Sequence, residues 1–157
     1  MNLRRALDLG TQIADALADA HSHVIVHANL DSSTIVVTPR GTAKILDFGV
    51  STWMVDGRPC DNVQETGVYM SPERLRGDAV DHRTDIYSLG AVLVEMLTGT
   101  PPSAAGTPPL PPGTDEVIAR ALMKNPDDRY DAAAVLAADL RTIAGALEDS
   151  RSAGERG

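Results

Sequence analysis

Residues 26–49 read Val26-His27-Ala28-Asn29-Leu30-Asp31-Ser32-Ser33-Thr34-Ile35-Val36-Val37-Thr38-Pro39-Arg40-Gly41-Thr42-Ala43-Lys44-Ile45-Leu46-Asp47-Phe48-Gly49. Two short runs, Thr34 to Val37 and Ala43 to Leu46, flank Thr38-Pro39-Arg40-Gly41. Short apolar, β-branched runs around a Pro/Gly turn predict a β-hairpin. Asp47-Phe48-Gly49 follows the second run directly. Asp and Gly are common where strands end, so the tripeptide alone says little.

Working outward, Leu3, Ala6, Leu7, Ile13, Ala14 and Leu17 recur at three- and four-residue spacing, which predicts an amphipathic helix ending near His21 to His23. Downstream, residues 51–71 lack periodicity and read as a long loop. Thr84 to Leu97 is apolar nearly all round, so it reads as a buried helix. Gly99 and Pro101 stop it in the usual order. Residues 101–112 hold six of the ten prolines and predict a connector without helix, more a spacer than an SH3-type ligand. A helix is predicted over Asp115 to Met123. A last one starts near Asp131 as N-cap and carries Val135, Leu136, Leu140, Ile143 and Leu147. Residues 148–157 read as a disordered tail. The fold class expected is mainly α with one small hairpin.

The chain has 157 residues, 43% of them apolar, enough for one cored domain over residues 1–147. Its net charge of −8 argues against nucleic acid and against an anionic membrane surface. A single cysteine, Cys60, excludes an internal disulfide and suits a reducing cytosol. No apolar h-region follows the first residues, and the run around Leu89 to Leu97 is broken by Glu95. A cytoplasmic protein is therefore expected. His21, His23, His27 and His82 form no metal set in the sequence, because no carboxylate or Cys completes the pair at the helix end.

Five motifs in one order carry a resemblance. Val26-His27-Ala28-Asn29-Leu30 resembles the V-H-R-D-L catalytic loop of protein kinases, and Asp47-Phe48-Gly49 their D-F-G. Tyr69-Met70-Ser71-Pro72-Glu73 resembles the end of the activation segment, here 51–71. Asp85-Ile86-Tyr87-Ser88-Leu89-Gly90 resembles the opening of the central helix, and Asn125-Pro126-Asp127-Asp128-Arg129-Tyr130 the approach to the last helix. The chain thus resembles the C-terminal lobe of bacterial serine/threonine protein kinases from about Leu3 to Leu147. These 157 residues contain no G-x-G-x-x-G and no V-A-I-K, so the expectation is a C-lobe without its N-lobe.

The resemblance implies failed chemistry. Asn29 stands at the catalytic base, and an amide cannot accept the proton at neutral pH. Ala28 replaces the preceding arginine. Asp31 replaces a lysine and puts a carboxylate where the transition state gathers negative charge. Thr34 stands at the second magnesium ligand, a weak substitute. Asp47 keeps the first magnesium position, now vestigial. No resident cofactor is expected, only the remains of a Mg-ATP site. The only lysines, Lys44 and Lys124, fall on the second strand and before the last helix, away from the position of the ATP lysine.

The structural positions are better kept. The resemblance implies that Glu73 and Arg129 form a buried pair and that Asp85 accepts backbone N–H groups of the catalytic loop. It also implies that His27 packs in the core, and it assigns scaffold roles to Phe48, Gly49 and Thr66. Ser51, Thr52 and Thr66 are possible phosphosites, with nothing to favour one. The expected function is a catalytically inactive pseudokinase that binds a protein partner, or a second copy, through the surface an N-lobe normally covers. A lobe completed by a separate N-lobe, and a remnant without function, stand as alternatives.

Overall fold

The structure, a computed structural model, describes residues 1–48, 67–103 and 106–154. The expectations for Gly49, Ser51, Thr52, Cys60 and Thr66, and for the activation segment up to Thr66, lie outside the described residues.

Helix α1 spans Leu3–Ser22. Asn2 caps it, its side chain accepting from Arg5 N at 2.8 Å. Leu7, Ile13, Ala14 and Leu17 face the core. The chain leaves the helix through Val24, whose φ is +61° and whose side chain is 90% exposed. A β-branched residue is strained in the left-handed region, and here no buried contact compensates. Val24→Gly is expected to raise stability by about 0.5–1 kcal/mol, the relief of backbone strain less the extra entropy of glycine in the unfolded chain. A higher urea midpoint at unchanged slope checks this; a lower midpoint means that the turn is not strained.

Strands β1 (Ile35–Val37) and β2 (Ala43–Ile45) pair antiparallel, with Ile35 opposite Ile45 and Val36 opposite Lys44. The turn closes through Gly41, at φ +83°, which donates to Thr38 O at 2.8 Å. Alternation sends Ile35, Ala43 and Ile45 onto the helical core and leaves Val36 and Lys44 exposed. Gln12 of α1 ties the hairpin down: its Oε1 accepts from Ala43 N at 2.9 Å and its Nε2 donates to Gly41 O at 3.3 Å.

A 3-10 turn (Gly67–Tyr69) and the short helix α2 (Pro72–Leu75) lead into α3, Arg83–Thr98. Ten of its residues are buried, as the nearly all-round apolar pattern predicts for a central helix. Gly99 ends it in the left-handed conformation. Two glycines let its neighbours approach. A Cβ on Gly10 of α1 would stand 2.6 Å from Leu93 Cδ2, and one on Gly90 would stand 3.0 Å from Ala121 Cβ.

Among the described residues the connector over 101–112 has no helix, and Leu110 packs on the core. Helix α4 spans Asp115–Ala121, ending short of the predicted Met123. The carbonyls of Met123 and Lys124 turn instead to Arg129. Helix α5 spans Ala133–Gly154, starting two residues after the predicted N-cap Asp131. It also runs past Leu147, so residues 148–154 are helical, not the disordered tail expected. Glu148 pairs there with Arg4 of α1, a partner no local reading reveals. Helices α1, α3, α4 and α5 share one core built on Leu7, Leu17, Leu89, Leu93, Ile118 and Leu136. The class is mainly α with a two-stranded sheet.

Candidate functional site

The loop after α1 is hung from Asp85, in the first turn of α3. This carboxylate is fully buried. Its Oδ1 accepts from Ala28 N at 2.7 Å; its Oδ2 accepts from His27 N and from His21 Nε2, both at 2.8 Å. A buried carboxylate is tolerated only with such partners, and the N-terminal end of α3 adds favourable dipoles. The loop turns sharply there, with Ala28 at φ +60°.

His27 is buried and its tautomer follows from its partners. Nε2–H donates to Leu46 O at 2.8 Å, and Nδ1 accepts from Asn29 N at 3.2 Å. Its ring meets Phe48 edge-on at 5.0 Å. Loop and hairpin end are thereby clamped together, and Asp47 between them takes φ +61°, a conformation aspartate enters more easily than most residues. Asn29 is half-buried, and its side chain has no hydrogen-bond partner among the described residues.

Asp31 turns back into its own loop. It is 4% exposed and caps the 3-10 turn Ser32–Thr34. Its Oδ1 accepts from Ser33 N at 2.8 Å, Thr34 N at 3.1 Å and Ser33 Oγ at 2.6 Å. Thr34 completes a capping box: its Oγ1 accepts from Asp31 N at 3.1 Å and donates to Asp31 O at 2.9 Å. Asp31 is thus a local cap, and the Thr34 hydroxyl is engaged within the same loop. The two positions that the resemblance assigns to magnesium are held here by Asp47 and by Thr34, the latter buried.

Tyr69 links the loop to the central helix. Its hydroxyl donates to Glu95 Oε2 at 2.8 Å, and Ser32 Oγ lies 3.2 Å away as donor to it. Burial pushes the phenol pKa up, while the bond from Ser32 opposes the rise. Ser88 Oγ donates to Tyr69 O at 2.8 Å.

At the base of the molecule Arg129 meets Glu73 in a two-pronged pair, Nη1–Oε1 2.6 Å and Nη2–Oε2 2.7 Å. Its other N–H groups donate to Met123 O, Arg83 O and Lys124 O, so all five are used. The guanidinium also lies over the Tyr87 ring at 5.0 Å. Burial is the largest single influence and would raise the Glu73 pKa; the bonds and charge of Arg129, the Glu73 backbone N–H and the bond from Ser71 together hold the carboxyl below its ordinary value. Sequence reasoning gave no role to His21, Ser32, Tyr69 and Ser88, although Tyr69 and Ser88 stand in the quoted motifs; each acts through a partner far along the chain, which a local pattern does not show.

The protein kinase domain family model matches residues 1–110. The chain belongs to this family. It is 37% identical over 161 residues to the serine/threonine-protein kinase PknB of Mycolicibacterium smegmatis, covering 87% of this chain and 26% of that protein. Similarity to PknH of Mycobacterium bovis is 36% over 155 residues, covering 85% of the chain and 26% of the relative. The chain thus spans about a quarter of the length of these curated relatives. Among solved structures, a double mutant of the PknI kinase domain of Mycobacterium tuberculosis aligns with a TM-score of 0.72 at 26% identity, over 92% of this chain and 56% of that one. The bacterial kinase-like fold and the C-lobe reading rest on these matches. Among the described residues no helix is long and apolar enough to cross a membrane.

Proposed function

We propose that this kinase-family lobe is catalytically inactive and acts as a protein-binding or regulatory module in serine/threonine kinase signalling. The observation that carries the reading is Asn29. It stands on a loop held in place by Asp85 and His27, yet it offers an amide where phosphoryl transfer needs a base. Ala28 brings no charge, and Asp31 and Thr34 spend their polar groups on each other. The scaffold bonds of Asp85, Glu73 and Arg129 favour a folded module over a decaying remnant. The isolated chain is expected to show no thermal shift with MgATP. A shift of several degrees speaks against the proposal, since a ligand that binds only the native state must stabilise it.

The binding surface in this reading is the hairpin side. Val36, Val37 and Leu46 are 39–45% exposed there. A second copy or a kinase N-lobe would cover them. Sedimentation at micromolar concentration is expected to show association; a clean monomer that also ignores the dye ANS ends this part of the proposal.

A further inference from the structure

The last turn of α1 brings His21 against His82, which immediately precedes α3. The ring centroids are 5.4 Å apart and the planes 61° apart. Each ring gives Nε2 to an oxygen: His21 to Asp85 Oδ2 at 2.8 Å, His82 to Asp131 O at 2.6 Å. A carboxylate and a carbonyl can only accept, so in the neutral rings both protons sit on Nε2 and both Nδ1 atoms carry bare lone pairs. The His21 side chain is 9% exposed, and its Nδ1 is a buried polar atom without a hydrogen-bond partner. Such an atom in a well-packed site calls for an explanation. His82 is half-buried, and its Nδ1 has no protein partner among the described residues.

We propose that His21 and His82 form a two-histidine site for a borderline transition-metal ion of the Zn²⁺ or Ni²⁺ type. Metal-binding histidines regularly give their other ring N–H to a carboxylate or a backbone carbonyl, and both rings do so here. Two imidazoles on one tetrahedral ion, at about 2.0–2.1 Å each, place their centroids about 5 Å apart, close to the spacing of this pair. Imidazole nitrogen selects Zn²⁺, Cu²⁺ or Ni²⁺ over Mg²⁺ and Ca²⁺. No group of three or more His, Cys, Asp or Glu that could hold an ion occurs among the described residues, so the two imidazoles are the whole of the proposed protein ligand set and the expected affinity is modest. An ion on Nδ1 makes His21 Nε2–H a stronger donor to Asp85, the carboxylate that holds the His27 and Ala28 amides. Binding at the α1–α3 corner thereby stiffens the loop around Asn29.

The test is calorimetric titration of the whole metal-free chain with zinc sulfate and, in parallel, nickel chloride, in a non-chelating buffer near neutral pH. The expected result is a single ion bound with micromolar affinity and no heat from magnesium chloride. His82→Gln is expected to weaken binding about tenfold or more, and His23→Gln to leave it unchanged. Hydrogen exchange of the His27 and Ala28 amides is expected to slow with zinc in the parent chain and not in His82→Gln. His82 is the variant of choice because removing His21 also strips a partner from buried Asp85. Lack of uptake, binding indifferent to His82→Gln, or equal loss in His23→Gln overturns the proposal and leaves the rings in plain edge-to-face packing.

Discussion

Arg129→Ala is expected to cost about 3–5 kcal/mol, because it strands the buried Glu73 carboxylate and frees three backbone carbonyls at once. A domain of this size holds only about 5–15 kcal/mol in total, so the variant should be largely unfolded or close to it. Asn29→Ala, on a half-buried side chain without described partners, is expected to change stability by no more than about 0.5 kcal/mol. Denaturant midpoints measured side by side check both; small and equal effects would show that the pair does not hold the lobe. The same pair sets an acid limb. Its folded-state pKa is lowered, so Glu73 contributes stability above its unfolded value near 4.5 and loses it as pH falls through the lower folded value. Stability measured from neutral pH downward should therefore stay level until about that unfolded value and then fall.

Asp85→Ala is the second severe change expected. It leaves the His27 and Ala28 amides and the His21 ring N–H without an acceptor inside the protein. Each orphaned buried donor costs about 1–3 kcal/mol, so the sum reaches several. Asp85→Asn should cost less, about 1–3 kcal/mol, since its one oxygen still serves part of the set while its NH₂ faces a backbone N–H. Hydrogen exchange locates the damage: the amides of His27 and Ala28 should exchange much faster in either variant that stays folded. Unchanged exchange at those two positions would mean that Asp85 does not hold the loop.

The sequence made the scaffold legible where the signal was local. Period and punctuation fixed α1, the hairpin and α3, because apolar spacing and a closing Gly act within a few residues. The pair of Glu73 and Arg129 was legible only through the family resemblance. Direction was not legible. Asp31 shows its residue type in the sequence, but its turn onto Ser33 and Thr34 is a choice between local capping and the cleft that only the fold decides. Helix α5 runs past its expected end, where Glu148 meets Arg4, and α4 ends at Ala121, ahead of the Met123 and Lys124 carbonyls that Arg129 holds. His21 looked like an ordinary helix-end histidine; its neighbours Asp85 and His82 arrive from a distant part of the chain.

Phosphoryl transfer tests the central claim most directly. A chimera joins the nucleotide-binding half of a PknB-type kinase domain to this chain, and a second copy also carries Ala28→Arg, Asn29→Asp and Asp31→Lys. Transfer of the γ-phosphate of labelled ATP to a serine/threonine peptide is followed over time in both. The account predicts background incorporation for the first and clear incorporation for the restored second. Sustained transfer by the unrestored chimera, abolished by Asp47→Ala, would contradict it, since the lobe would then catalyse without an aspartate at position 29.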